Sequence, residues 1–75
     1  MNEKEFYLKM DELFDVRSGT TTSTTRIDEF GTWTSLSFLA FIQVADADYG
    51  VAVSPRDIDA CTTVDDLMQL IVRKL

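Results

Sequence analysis

Apolar positions recur at helical spacing in several separate stretches of this chain. In EKEFYLKMDELF, from Glu3 to about Phe14, Phe6, Met10 and Leu13 fall at i, i+4 and i+7, with Leu8 and Phe14 broadening the stripe. This spacing predicts a first helix. A second is predicted from Thr34 or Ser35 to about Tyr49, with Gly50 placed to take the left-handed conformation that ends a helix. Its apolar residues wrap widely: Leu36, Leu39, Ala40 and Val44 form one stripe, and Phe38, Phe41, Ile42 and Ala45 extend it. A helix this broadly apolar is either central or presents one flank to a partner or ligand.

The last third of the chain carries clear helix-start signals. Ser54, Pro55 and Asp57 read as N-cap, N1 and N3 of a short helix of about two turns running to Cys61. Thr62 or Thr63 then caps a final helix in which Val64, Leu67, Met68, Ile71 and Leu75 repeat at helical spacing. Arg73 and Lys74 stand near its C-terminal end, where the helix dipole favours cations. Gly50 to Val53, GVAV, lacks a second strand to pair with and reads as a buried connector.

Between the first two long helices lies DVRSGTTTSTTRIDEFGTW, which has no helical period. Five of the six residues from Thr20 to Thr25 are threonine, whose branched, hydroxyl-bearing side chains weaken a helix. So long a connection in a small domain points to a purposeful crossover, and Ile27, Phe30 and Trp33 are apolar enough to pin it to the core. The expected fold is all-α: a small four-helix bundle of three longer helices and one short one, with a long loop between helices one and two. Residues 1–75 are expected to form a single domain.

Composition narrows the chemistry. The chain is 45% hydrophobic with five Phe, two Tyr and one Trp, ample for a core. With no histidine, His-based catalysis and His metal sites are excluded, and the single Cys61 forms no internal disulfide and makes a zinc site implausible. Gly19, Gly31 and Gly50 are too far apart for a phosphate-binding loop. Classical catalysis is therefore not expected, and the protein is read as a non-enzyme. No apolar run approaches the roughly 20 residues that span a bilayer. The charged start, MNEKEFYLKM, is not a signal peptide, so a cytoplasmic location is expected.

Net charge is −6, and it is concentrated. From Asp28 to Asp66 eight acids face one base, Arg56. That sign disfavours nucleic acid as a partner and favours proteins with basic patches.

These residues together resemble the acyl carrier protein family. The resemblance rests on a long helix, a long loop, and Trp33 followed by Thr34-Ser35-Leu36 opening a second helix. It continues through Tyr49-Gly50-Val51, Val53, Pro55 and Asp57-Ile58, then Thr63-Val64, Asp66-Leu67 and Leu70-Ile71. It covers essentially the whole chain and is densest from Ile27 to Ile71. The resemblance implies that Ser35 receives 4′-phosphopantetheine from coenzyme A, and that the arm's thiol carries acyl groups as thioesters. The implied partners are a phosphopantetheinyl transferase and acyl-transferring biosynthetic enzymes of fatty acid or polyketide type, with basic patches. The resemblance also implies a monomer. By position, Leu36, Asp46, Asp48, Asp57 and Asp59 are candidate partner contacts.

One departure stands out. The family motif has aspartate before the serine, and this chain has Thr34. A lost charge-assisted contact of that kind is worth about 1.5–3 kcal/mol. The Thr34 hydroxyl is still expected to cap the helix by accepting an amide hydrogen bond. Two readings of Ser35 stay open: the attachment point of a working carrier, or the helix-start residue of an unmodified interaction domain. An aminoacyl or peptidyl cargo is a third possibility.

Overall fold

The computed structural model describes residues 1–75 and holds four helices: α1 (Glu3–Phe14), α2 (Ser35–Tyr49), α3 (Pro55–Asp59) and α4 (Val64–Lys74). No strand forms, and Val51 and Val53 of the GVAV connector are buried as expected. An isolated antiparallel bridge joins Arg26 to Thr63. No helix is long and apolar enough to cross a membrane.

The first helix is capped by Asn2, whose side-chain oxygen accepts the Glu5 amide at 3.0 Å. It buries Phe6, Met10 and Phe14, while Leu13 is half-buried and Leu8 is exposed. The buried face is therefore turned further toward Phe14 than the sequence pattern suggests. The cause lies in the loop: Phe30 and Trp33 stack against Phe14 with ring centroids 5.6 and 5.8 Å away.

The second helix turns one flank to the core and leaves the other outside, one of the two alternatives its breadth allowed. Phe41 and Ala45 are buried with Ser37, at i, i+4 and i+8, and Phe38 and Ile42 flank them half-buried. The Leu36–Leu39 stripe points outward. Phe41 meets Phe6 of α1 edge-on, at 6.5 Å and 89°. Gly50 ends the helix at φ 66°, and its amide and that of Val51 bond the carbonyls of Asp46 and Ala45.

The third helix is shorter than two turns. After Asp59 the chain tightens, with the Cys61 amide on the Ile58 carbonyl at 2.9 Å, and turns so that the Thr62 carbonyl accepts the Ile27 amide at 3.0 Å. That pairing with the loop ends α3. The fourth helix buries Val64, Leu67, Met68 and Ile71, whereas Leu75 is exposed.

The long loop is ordered by the polar groups it satisfies. Asp11, itself buried, accepts the amides of Gly19 and Thr21 at 2.8 Å each. Further on, the Thr25 and Ser23 carbonyls accept the amides of Val64 and Asp65, at 2.9 and 3.0 Å. Those two donors belong to the first turn of α4 and have no partner within their own helix. Ile27 is buried, and Phe30 and Trp33 pack half-buried against the core, so all three pin the loop as expected.

Candidate functional site

The approach to α2 is built by short polar contacts. Gly31 takes φ 68°, which favours glycine, and turns the chain into the segment Thr32 to Thr34. The Thr32 hydroxyl donates to the Phe14 carbonyl at 2.9 Å, tying this segment to the end of α1. Trp33 lies between Phe14 and Phe38, with ring centroids 5.8 and 5.5 Å away.

The start of α2 is held by Ser37. Its hydroxyl accepts the Thr34 amide at 3.1 Å and donates to the Thr32 carbonyl at 3.0 Å. Thr34 is extended, at φ −131° and ψ −178°, and stands opposite Ser37 as in a capping box. Its hydroxyl, however, closes no cap bond of hydrogen-bond geometry. The Thr34 side chain faces the Ser37 amide in that box, and Ser37 closes the reciprocal bond to the Thr34 amide.

This arrangement separates two serines that the sequence leaves alike. Ser37 is buried and spent on backbone groups. Ser35 is exposed, its hydroxyl makes no hydrogen bond, and Leu36 beside it is 74% exposed. The amides of the first helical turn are unpaired within the helix and carry the positive end of its dipole, which suits a phosphodiester on Ser35. An exposed hydroxyl at the first position of a 15-residue helix therefore fits a phosphate-linked prosthetic group.

A cleft of about 240 Å³ lies alongside, walled by Ile27, Trp33, Phe38, Ile58 and Cys61. Its rim holds Asp59 and the Arg26–Asp28 ion pair at 3.2 Å, in which the Arg26 guanidinium holds the Asp28 carboxyl below its ordinary range. Cys61 is half-buried rather than a full core residue. Burial pushes its thiol up to about 11, so at neutral pH it is protonated and a poor nucleophile.

The acids do not gather around Ser35. Asp46 is exposed and unpaired, but eleven residues along α2 place it about 16 Å from Ser35. Asp48 lies 3.2 Å from Lys9 of α1, a contact that raises the Lys9 ammonium above its ordinary value. Asp57 accepts the Ser54 amide at 3.1 Å in the α3 cap and lies 3.9 Å from Lys74, and its carboxyl is held below the usual range. Asp59 is exposed on the cleft rim. Two of the four acids are thus engaged inside the molecule.

Three residues that shape the site escaped the sequence reading. Ser37 had a signal, since Thr-x-x-Ser has capping-box spacing, but Thr32 and Asp11 bond to segments distant in sequence and had none.

A family model for a phosphopantetheine attachment site matches residues 12–71, a span that contains Ser35. Searches of curated proteins and of solved structures return no match.

Proposed function

Because the chain belongs to the phosphopantetheine-attachment-site family, whose members hold that group covalently, we propose that it is an acyl carrier protein with Ser35 as the attachment residue. The observation that carries this reading is the exposed, unbonded Ser35 hydroxyl at the start of α2, two positions before a serine that is buried and spent. The bound group supplies a thiol that carries acyl cargo as a thioester. The chain's own part is to present the serine. Ser37 and Thr32 fix the helix start, Trp33 backs it with an aromatic wall, and the first-turn amides face the phosphate.

Carrier domains of this family are non-catalytic and meet transferases and biosynthetic enzymes in turn. In this reading residues 1–75 work as one monomeric, cytoplasmic carrier domain. Its partners contact Leu36 and the acids Asp46, Asp48, Asp57 and Asp59. Asp46 and Asp59 are the two free to steer a basic patch during approach.

Intact-protein mass tests this after incubation with coenzyme A, magnesium and a broad-specificity phosphopantetheinyl transferase. The expected result is a gain of one phosphopantetheine in the wild-type chain and none in Ser35→Ala. A gain that persists in Ser35→Ala would move the attachment to another residue. No gain on folded protein with several transferases would favour an unmodified interaction domain, a reading that rests on Thr34 in place of the motif's carboxylate.

A further inference from the structure

We propose that the Thr34 hydroxyl donates a hydrogen bond to the phosphodiester that links the arm to Ser35. The proposal rests on Ser35 as the attachment residue. Within three residues of Ser35 stand three other hydroxyls, on Thr32, Thr34 and Ser37. A hydroxyl has one proton to give. Thr32 gives its proton to the Phe14 carbonyl at 2.9 Å, and Ser37 gives its own to the Thr32 carbonyl at 3.0 Å. Thr34 alone of the three keeps its proton free: its side chain faces the Ser37 amide, itself a donor, and its O–H donates to nothing.

The charges of the chain leave this contact to neutral groups. No base occurs between Arg26 and Arg56, and the Arg26 guanidinium is paired with Asp28 at 3.2 Å. Lys9 and Lys74 are engaged as well, with Asp48 at 3.2 Å and with Asp57 at 3.9 Å. Thr34 and Ser35 are both exposed, and consecutive Cα atoms stand about 3.8 Å apart. Given to an anionic phosphate oxygen, the Thr34 proton makes a charge-assisted bond, stronger than one between neutral groups. That bond fixes the root of the arm at the mouth of α2 and leaves its thiol end free to travel.

Thermal melts of the chain with and without phosphopantetheine decide the matter, each form confirmed by intact mass. Thr34→Val and Thr34→Ala lack the hydroxyl, Thr34→Ser keeps it, and Thr32→Val removes a hydroxyl that serves the fold. The quantity read is the change in midpoint on modification, which cancels what each substitution does to the bare fold. Wild type and Thr34→Ser are expected to share one value. Thr34→Val and Thr34→Ala are expected to fall about 4 °C or more below it, the shift that loss of one such bond gives a domain of this size. Thr32→Val is expected to lower both forms alike and so keep the wild-type value. The ³¹P resonance of the phosphodiester is expected to move in the two variants without the Thr34 hydroxyl and to stay in Thr32→Val.

A change on modification that stays within about 1 °C of wild type in Thr34→Val and Thr34→Ala overturns the proposal. So does a Thr34→Ser chain that behaves like Thr34→Val, because the methyl and not the hydroxyl then matters. An equal loss in Thr32→Val also overturns it, because the effect then belongs to the helix start and not to the phosphate. A wild-type chain that gains no mass removes the attachment reading itself. That outcome is distinct from a modified chain indifferent to residue 34.

Discussion

Ser35 and Ser37 have the same side chain, and their surroundings give them opposite roles. One hydroxyl is free in solvent, and the other bridges a carbonyl and an amide at the mouth of the helix. Between them in importance stands Thr34, whose hydroxyl makes no cap bond. An aspartate there would add a negative charge at the positive end of the α2 dipole and a stronger acceptor for first-turn amides, worth about 0.5–1 kcal/mol. It would also restore the carboxylate that the attachment motif has at this position. Thr34→Asp is therefore expected to raise the transfer rate about tenfold, read from a time course of intact mass. An unchanged rate would show that Thr34 is not limiting.

At the scale of the helices, the two C-terminal elements depend on carboxylate caps. Asp66 accepts the amides of Thr62 and Thr63 at 2.9 and 3.0 Å, and these bonds hold its carboxyl below the ordinary value of 3.8. Asp57 is held low mainly by the Ser54 amide. A carboxyl depressed in the folded state stabilises fully above its unfolded pKa, and that contribution is lost as pH falls through the folded value. The thermal midpoint is thus expected to fall on acidification below about pH 4. Asp66→Asn should show a lower midpoint at neutral pH and a smaller further drop in acid. An equal acid-induced drop in wild type and variant would place the loss elsewhere. The helices also differ in how plainly they show their faces. In α4 the buried set Val64, Leu67, Met68 and Ile71 was legible from spacing alone. In α2 nearly every position is apolar, so periodicity could not say which flank the core would take.

For the whole molecule, the long loop is a structural part and not a mere connection. It caps α4 with the Ser23 and Thr25 carbonyls, anchors to α1 through Asp11, and buries Ile27. Ile27→Ala is expected to lower unfolding stability by about 2–5 kcal/mol in urea, the range for truncating a buried isoleucine. A loss under about 0.5 kcal/mol, ordinary for surface positions, would show that the loop is not part of the cooperative unit.

Helix number, order and approximate ends, the stops at Gly50 and the starts at Ser54 and Thr63, and a serine at the mouth of α2 were all determined by the sequence itself. Each depends on backbone hydrogen bonding and side-chain periodicity within a few residues, which local order records. Only the tertiary structure decided which flank of α2 is buried, which acids are spent and where α3 stops. Those outcomes rest on Phe14 with Trp33, Thr32 with the Phe14 carbonyl, Lys9 with Asp48, and Ile27 with Thr62. Each pair joins residues far apart along the chain, and their meeting is set by how the helices pack against one another.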